Sequence, residues 1–362
     1  MPSTVYFSPA RGKARRNKFD RLTQLFDRGG GPGLFGPGQL VAVKVHWGEL
    51  GNADFIPSFY VKHFVSLLQH RGAKPFVTDT NTLYRGSRHH AVDGIATAAA
   101  NGFSLATLGV PVIVADGIRG FDYRDVPIAG RHVKTARIAG AIADCDGILA
   151  ISHVKGHMVF GFGGAVKNIG MGCAAAAAKQ SLHADVRPRV SEDDCTGCGD
   201  CAANCRFHAI DLGPRARIDP ARCEGCGECV VVCPQEAIPI HWEGDTSVTQ
   251  EKTAEYAAAA LAGKKALYVN FLTSITPDCD CMDWSDAPIV PDIGYLASTD
   301  PVAIDLASVD LVNGFTGFAD RFPVPLAGDR FRALHGIDYL PLFEHAESLG
   351  LGSRSYTLVR LD

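Results

Sequence analysis

Short apolar runs alternate with segments of helical period along most of the chain. The runs have the length of buried strands, and the segments between them place apolar residues three or four positions apart. This alternation is typical of βαβ units and predicts an α/β fold built on a mostly parallel sheet. Before residue 190 the predicted strands are Val41–Val45, Pro75–Val77, Val112–Ala115 and Gly147–Ile151, and the predicted helices are Phe55–Leu68, Ala91–Ala100 and Thr135–Ala143.

The same alternation returns towards the end of the chain. Strands are predicted at Ala266–Phe271 and Ile289–Leu296, and helices at Glu251–Leu261 and Pro301–Val312, the second capped by Asp300. Neither flank forms a complete α/β pattern alone. We therefore expect one discontinuous α/β domain, residues 1–189 and 243–362, interrupted by a small α+β insertion at residues 190–242.

The first part of the chain has its own helical pattern. Phe19, Leu22, Leu25 and Phe26 recur at helical spacing and overlap the basic stretch Arg11–Arg21, which predicts an amphipathic surface helix. The glycine-rich stretch 29–33 predicts a loop between this helix and the strand Val41–Val45.

Composition narrows the class of protein. The chain has 362 residues and a hydrophobic content of 46%, enough to fill a sizeable core. Its start lacks the pattern of a secretory signal, and no run approaches the ~18 apolar residues of a membrane span, so we expect a cytoplasmic protein. The net charge of −4 argues against nucleic acid as the main partner.

Charge is unevenly distributed along the chain. Residues 191–240 contain nine Asp or Glu and four Arg, so this segment carries −5 while the rest carries +1. An acidic segment suits a basic redox partner protein or a basic surface of this same chain, and it is equally compatible with an ordinary solvated surface.

Eight of the twelve cysteines form two copies of one pattern, C-x2-C-x2-C-x3-C, which begin 28 residues apart, at Cys195 and Cys223. Such a run supplies three thiolates to one [4Fe-4S] cluster and its fourth cysteine to the other, as in two-cluster bacterial ferredoxins. The spacing therefore predicts two [4Fe-4S] clusters. One would be held by Cys195, Cys198, Cys201 and Cys233, and the other by Cys223, Cys226, Cys229 and Cys205.

Zinc is the main alternative for these cysteines. A zinc ribbon needs only four ligands per ion, usually two from each of two knuckles, so it leaves the third and fourth in-phase cysteines of each run unexplained. A disulfide framework fits less well, because nothing in the sequence indicates secretion. Arg206 follows Cys205 where proline follows Cys233; since proline donates no ligand, this departure leaves the ligand set unchanged.

Polar residues follow the predicted strand Gly147–Ile151 and suggest a second site. Ligands of parallel α/β sheets bind beyond the carboxyl ends of the strands. His153, Lys155 and His157 lie there at alternating positions, and we assign them proton transfer and anion binding. The glycine-rich turn 161–164 leads into Lys167 and Asn168, which suggests an anion cradle. Lys44, His46 and Trp47 end an earlier strand and are further candidates for the same pocket; a polar surface is the alternative.

Four further cysteines lie outside the two runs. Cys279 and Cys281 form a C-x-C pair in a turn rich in Pro and Asp, a setting for a metal, a redox couple or reactive thiolates. With Cys173, and with His183 as a further candidate, they define a third metal or cluster site, for which free thiols are the alternative. We interpret Cys145 as structural.

Three segments resemble the iron–sulfur proteins of the family labelled domain of unknown function 362. They are Gly164–Cys173 before the cysteine runs, and Ile275–Cys281 and Asp300–Asp305 after them. The resemblance spans nearly the whole chain. It implies an α/β domain that carries a two-cluster ferredoxin insertion and a cytoplasmic redox function, and it supplies no substrate.

These patterns support three functional hypotheses. The first is an oxidoreductase in which electrons pass through the two clusters to an anionic small molecule or a metal centre in the α/β domain, with His153, Lys155, His157 and Lys167 at that site. The second is a non-catalytic electron-transfer or docking subunit of a larger redox complex. The third is a redox-sensing regulator.

Overall fold

The structure is a computed structural model of the chain. It describes residues 2–12, 16–183, 188–205, 207–223, 225, 227–239, 245–315 and 328–361. Cys226, one of the predicted cluster ligands, lies outside the described residues.

Fourteen strands are present in this part of the chain, and eight of them form the central sheet. In chain order the strands are β1 Ser3–Pro9, β2 Leu40–Lys44, β3 Lys74–Asp79, β4 Val112–Val114, β5 Tyr123–Pro127, β6 Thr135–Ala139, β7 Gly147–His153, β8 Lys155–His157, β9 Gly161–Gly163, β10 Ile210–Leu212, β11 Ala216–Ile218, β12 Lys265–Leu272, β13 Gly294–Ser298 and β14 Tyr356–Arg360.

The central sheet has the order β14-β1-β13-β12-β7-β2-β3-β4. Five neighbours, from β12 to β4, are parallel, and only β13 runs against the other seven strands. The carboxyl ends of β2, β3, β7 and β12 therefore meet at one edge of the sheet. This arrangement confirms the predicted α/β fold with a mostly parallel sheet.

Helices cover both faces of this sheet. In chain order they are α1 Lys18–Arg28, α2 Gly31–Leu34, α3 Ser58–His70, α4 Ala91–Ala100, α5 Leu105–Leu108, α6 Gly140–Ala143, α7 Ala165–Gly170, α8 Ala176–His183, α9 Asp200–Ala203, α10 Glu228–Val232, α11 Thr246–Leu261, α12 Pro301–Asn313, α13 Arg330–His335 and α14 Leu340–Ser348.

Each side of the central sheet packs against its own hydrophobic core. Along β7, Ile148 and Ala150 belong to one core and Leu149 and Ile151 to the other, because successive strand residues point to opposite faces. A strand buried on both faces explains why β7 is an unbroken apolar run in the sequence.

Three predicted elements differ from the structure. Residues Thr135–Ala139 form strand β6, paired with β5, and only Gly140–Ala143 are helical, so the predicted helix Thr135–Ala143 is wrong over its first half. The predicted strand from Ile289 begins only at Gly294, since Pro291 lacks the N–H that a central strand donates. Part of the expected glycine-rich loop, Gly31–Leu34, is one turn of helix.

Residues 188–239 form a small α+β segment with its own buried cluster. The hairpin β10–β11 and the helices α9 and α10 surround apolar residues and cysteines, including Cys195, Cys201, Cys229 and Cys233. This segment matches the α+β insertion expected between the two halves of the α/β domain. Its boundaries at residues 190 and 242 stay a prediction.

The segment packs onto α8 through the loop before α10. Gly227 has a φ of +79°, and a Cβ placed there would lie 2.2 Å from the Cβ of Gln180 on α8. Only glycine therefore satisfies both the backbone conformation and the close approach.

Substituting Gly227 by alanine should be much more destabilising than substituting Gly263, which has a φ of +70° and nothing within 4 Å of an added Cβ. Both variants lose about 1 kcal/mol from the left-handed backbone. Gly227→Ala should lose a further ~1–3 kcal/mol from overlap with Gln180. Urea unfolding of both variants measures the difference; equal midpoints would contradict the packing argument.

Among the described residues, no helix has the length and apolarity needed to cross a membrane.

Candidate functional site

A cavity of about 410 Å³ opens at the carboxyl edge of the parallel strands. Lys44 ends β2, Asp79 ends β3 and His153 ends β7, and the loop after β12 adds Cys279 and Cys281. Side chains at the ends of adjacent parallel strands converge on one space, as expected for a ligand site in this fold. Its lining includes the predicted residues Lys44, His46, His153, Lys155, His157, Lys167, His183, Cys279 and Cys281.

Asp280 joins two of the predicted cavity residues. Its carboxylate lies 2.8 Å from Nδ1 of His153 and 2.8 Å from Nζ of Lys155. The other ring nitrogen of His153 faces the carbonyl oxygens of Thr273 and Ser274 at 2.9 and 3.0 Å. Both nitrogens of this ring therefore face acceptors, which fixes His153 as a positioning residue rather than a mobile proton carrier.

The charge of Asp280 and the charge of Lys155 depend on each other. Burial opposes ionisation of Asp280, but His153 and Lys155 outweigh it and lower the pKa of Asp280 below its ordinary value. Burial also opposes the charge of Lys155, and Asp280 outweighs it and raises the pKa of Lys155. Lys155 is thus committed to an internal partner, although the sequence suggested it for an anionic substrate.

A second buried network fixes the ends of β2 and β3. Nζ of Lys44 lies 3.0 Å from Asp79, 2.7 Å from Oδ1 of Asn168 and 2.9 Å from the carbonyl of Val45. Its three hydrogens are therefore all used, and Lys44 is a structural cation. The amide of Asn168 in turn donates to Ser152 Oγ at 3.0 Å, so α7 is tied to the end of β7.

Arg88 extends this network to the far side of the cavity. Its guanidinium contacts Asp79 at 3.3 Å and Glu49 at 3.0 Å and donates to the hydroxyl of Tyr84 at 2.6 Å. With two carboxylates and a phenol, the charge of Arg88 is neutralised within the protein.

His157, Cys279 and Cys281 present ligand atoms that all lie within 4.8 Å of one another. A group of one imidazole and two thiols could hold a metal ion. The sequence analysis predicted that Cys173 would join Cys279 and Cys281. In the structure His157 joins them instead, and Cys173 lies fully buried in one of the hydrophobic cores. Metal binding here would leave one or more positions open to another ligand, since the described residues supply three donors within this distance.

The imidazole of His157 is oriented by its own loop. Its Nδ1 accepts hydrogen bonds from the backbone N–H groups of Val159 at 3.0 Å and Phe160 at 3.3 Å. Burial and the charge of Lys167 lower the pKa of His157 to about 4. The neutral ring therefore carries its hydrogen on Nε2, the atom next to Cys279, and coordination of a metal by Nε2 would require that hydrogen to leave.

Cys279 is the thiol that the site activates. A hydrogen bond from Cys281, opposed by burial and assisted by Lys167 and Lys155, lowers the pKa of Cys279 well below its ordinary value. The same bond and burial raise the pKa of Cys281. Nζ of Lys167 lies 4.0 Å from Sγ of Cys279. The pair thus consists of one thiolate and one thiol, a form suited to metal binding or to nucleophilic and redox chemistry.

Helix α8 contributes Lys179 and His183 to the opposite wall. Nζ of Lys179 donates to Oγ1 of Thr80 at 2.8 Å and to the carbonyl of Asn81. Burial lowers the pKa of Lys179 to about 8 and, together with Lys167 and His157, lowers the pKa of His183 to about 3. The sequence contained no motif that pointed to Lys179.

The predicted anion cradle of the glycine-rich turn is occupied by the protein itself. Residues Gly161–Gly163 form strand β9, and the first backbone N–H groups of α7, from Ala165 and Val166, donate to Asp305 at 2.7 and 2.9 Å. Asp305 comes from the segment Asp300–Asp305, on α12. This carboxylate takes the place that the sequence assigned to an external anion, and the assignment is corrected.

Seven of the eight predicted cluster ligands lie in the described residues, and they divide into two groups. Cys195, Cys198, Cys201 and Cys233 line one small cavity. Cys205, Cys223 and Cys229 line another. That each group holds one cluster stays a prediction, and Cys226 lies outside the described residues.

The two cysteine loops share one backbone conformation. Gly197 and Gly199 in the first loop, and Gly225 and Gly227 in the second, all have φ between +69° and +90°. Backbone N–H groups also approach sulfurs at 3.3–3.4 Å in both groups, from Ala216 to Cys195 and from Ala209 to Cys205. Converging thiols with N–H donors fit the donor set of an iron–sulfur cluster.

The cysteine-rich segment contacts the wall of the main cavity. Gln180 of α8 packs on Gly227, while Lys179 on the same helix lines the cavity. Glu228, which is buried, pairs with Arg137 at 2.9 Å, and the carboxylate of Glu236 lies 3.3 Å from Arg85. The acidic segment therefore meets basic residues of this same chain, one of the docking modes that its charge suggested.

Two other predicted residues lie outside the cavity. Trp47 is buried in the core on the other side of β2, and Cys145 is buried with its sulfur 3.2 Å from the carbonyl of Ile142, a structural position. His46 lines the cavity, and burial together with Arg88 lowers the pKa of His46 well below its ordinary value. The sequence analysis missed Asp79 and Arg88 as cavity residues. Asp79 could have been predicted, because it ends a strand, whereas no sequence pattern marks Arg88.

The fold and the cavity define an α/β protein with a buried site of cations and thiols at the carboxyl edge of its sheet. The chain belongs to the family described as domain of unknown function (DUF362), whose pattern matches residues 41–310.

Comparison with solved structures finds distant similarity. The lactate racemase apoprotein from Thermoanaerobacterium thermosaccharolyticum is similar at 11% identity and a TM-score of 0.44, over 87% of this chain and 58% of that one. A protein from Thermotoga maritima is similar at 10% identity and a TM-score of 0.40, over 70% of this chain and 50% of that one. This chain thus spans 58% of the length of the first and half of the length of the second. No protein of curated function matches the sequence.

Proposed function

We propose that this protein is an iron–sulfur oxidoreductase that exchanges electrons between two [4Fe-4S] clusters and an anionic small molecule bound in the cavity. The observation that carries the proposal is the position of α8. This one helix lines the cavity with Lys179 and packs against the cysteine-rich segment through Gln180. A short separation between clusters and substrate is what electron transfer requires.

The residues that would hold the clusters are those of the two cysteine groups, with Cys226 completing the second. When bound, the clusters supply one-electron transfer at potentials set by hydrogen bonds to the sulfurs and by solvent exposure. Cys198 is exposed, whereas Cys195, Cys201 and Cys233 are buried, so Cys198 opens the first group to the surface. Exposed acidic residues beside it, Glu192, Asp193, Asp194 and Asp200, suit a basic redox partner protein.

Within the cavity, each remaining residue has a defined role in the proposal. Lys167 holds the anionic substrate, and the imidazole of His157 stabilises the Cys279 thiolate by a hydrogen bond. His153 and Lys155, through Asp280, hold the loop that carries Cys279 and Cys281. A metal ion bound by His157, Cys279 and Cys281 is the alternative electron acceptor. Reduced thiols and clusters of this kind suit the cytoplasm.

The test uses protein purified without oxygen and reduced with dithionite. Reoxidation of the reduced protein by a panel of small organic anions is followed by visible absorbance. Lys167→Ala and His157→Ala should each slow reoxidation at least tenfold while iron and sulfide contents stay equal to wild type. Lys264→Ala is the control, because Lys264 donates to the carbonyl of Ala143, outside the cavity lining.

One outcome would favour the hypothesis of a non-catalytic electron-transfer or docking subunit. The exposed acidic surface beside Cys198 also fits a subunit that passes electrons to a larger complex. Suppose that Lys167→Ala and His157→Ala are reoxidised as fast as wild type, and that the reduced protein passes electrons to a basic electron-transfer protein at a rate that falls with added salt. The protein would then be an electron-transfer or docking subunit and not an oxidoreductase.

A further inference from the structure

Most cations of the cavity are matched by buried carboxylates. Lys44 pairs with Asp79 at 3.0 Å, and Lys155 pairs with Asp280 at 2.8 Å. Arg88 lies within 3.3 Å of Asp79 and 3.0 Å of Glu49. These groups are therefore saturated by partners within the chain and are poor candidates for holding a ligand.

Lys167 and Lys179 differ from the others. In the part of the chain that the structure describes, neither has a carboxylate within ion-pair distance. Nζ of Lys167 lies 4.0 Å from Sγ of Cys279, and the ammonium also lies 5.3 Å from the ring centre of Phe160. A contact of 4.0 Å to sulfur is longer and weaker than a salt bridge to a carboxylate, so Cys279 offsets Lys167 only in part.

Lys179 is partnered only by neutral oxygens within hydrogen-bond distance. Two of its hydrogens go to Thr80 and to the carbonyl of Asn81, which leaves the third available to the cavity that it lines. The residue is 7% exposed. A cation this deeply buried is costly unless it is paired, and its lowered pKa of about 8 is the sign of that cost.

Asp116 and Asp79 are carboxylates whose charges act on Lys179 from beyond ion-pair distance, and burial outweighs both, since the pKa of Lys179 stays lowered. His183, the neighbour of both lysines, does not neutralise them either. His183 senses the charges of Lys167 and Lys179, which with burial keep its ring neutral near pH 7. Two incompletely matched cations therefore face one cavity of about 410 Å³, within the range of about 300–1,000 Å³ typical of small-molecule sites.

We infer that the cavity binds a small organic ligand that carries two negative charges, held jointly by Lys167 and Lys179. A dicarboxylate and a phosphorylated molecule share this chemistry. Ser152 lines the same space, and its hydroxyl, which accepts from the amide of Asn168, can donate its own hydrogen to the ligand. The identification of this dianion as the substrate rests on the proposed function; the binding itself does not.

The test measures binding to the full chain, with clusters in place, by isothermal titration calorimetry. The probes are succinate, which carries two carboxylates; butyrate, which has the same chain length and one carboxylate; and inorganic phosphate. We expect succinate or phosphate to bind at least tenfold more tightly than butyrate. Preference for succinate would identify a dicarboxylate, and preference for phosphate would identify a phosphoryl group.

Two variants test the lysines. Lys167→Met and Lys179→Met keep the apolar stems and should each weaken binding of the preferred probe tenfold or more, with Lys264→Ala unchanged as the control. Lys167→Arg should recover part of the affinity. Circular dichroism checks that each variant is folded, and Lys167→Met alone decides the matter if Lys179→Met does not fold.

Three results would each overturn the inference. The first is equal affinity for succinate and butyrate, with phosphate bound no more tightly than either. The second is binding that Lys167→Met does not weaken, and the third is no binding of any probe. Failure of the proposed function has a different signature. In that case iron and sulfide are missing, or reoxidation does not respond to Lys167, while dianion binding persists.

Discussion

Asp280→Ala should lower the free energy of unfolding by about 3–5 kcal/mol, the cost of removing one partner from a buried ion pair. The substitution leaves the ammonium of Lys155 and the imidazole of His153 buried without the carboxylate that each contacts at 2.8 Å. Urea unfolding followed by circular dichroism measures the loss. Asp283→Ala, at an exposed position in the same loop, is the matched control and should change stability by less than about 0.5 kcal/mol.

A double variant separates the lost ion pair from lost packing. Lys155→Met in the Asp280→Ala background removes the ammonium that lost its partner and should restore part of the stability. If Asp280→Ala alone costs under about 1 kcal/mol, Asp280 does not hold the loop and the assignment of His153 as a positioning residue is wrong.

Asp280 also predicts a dependence of stability on pH. Because its pKa is lower in the folded than in the unfolded protein, the carboxylate contributes stability that is fully present above its unfolded pKa of about 3.9. That contribution is lost as the pH falls below this value. The stability difference between wild type and Asp280→Ala should therefore shrink as the pH falls from 5 towards 3. A difference that grows on acidification would contradict the sign of the shift.

Cluster content is expected to halve when one ligand group is broken. Wild-type protein purified without oxygen should contain about eight iron and eight sulfide per chain, four for each cubane. Cys198→Ala should reduce both to about four, because Cys198 lies in only one of the two cysteine groups. Elemental analysis measures both, and Cys145→Ala, which alters a buried thiol outside both groups, should keep about eight.

The same analysis decides the role of the C-x-C pair. The double variant Cys279→Ala and Cys281→Ala should keep the wild-type iron content if these thiols hold no third cluster. A wild-type content of about twelve iron that falls to about eight in the double variant would instead assign a third cluster to them. Zinc without sulfide in the wild-type protein would overturn the redox proposal altogether.

The sequence by itself determined the class of fold and the grouping of the cysteines. Buried parallel strands must be apolar on both faces and short, so β2, β3, β4, β7 and β12 are visible as apolar runs. The ligand grouping depends on spacing within local loops, which is a property of the sequence. Placement of His153 at the end of β7, and of Lys155 and His157 just beyond it, follows from the same local pattern.

Only the tertiary structure decided which charged residues are free to act. Lys44, Lys155 and Lys167 are equivalent in sequence, but Asp79 and Asp280 neutralise the first two, and those partners are remote along the chain or hidden in another motif. The glycine-rich turn was assigned an external anion because Asp305 is 139 residues from Val166.

Strand β6 was missed for the same reason. Its residues have helical periodicity, and their pairing with β5 is what makes them a strand. The local sequence pattern limits which secondary structure a segment can form. The pairing of charges and of strands depends on contacts between residues that are distant in the sequence, and no local pattern contains those contacts.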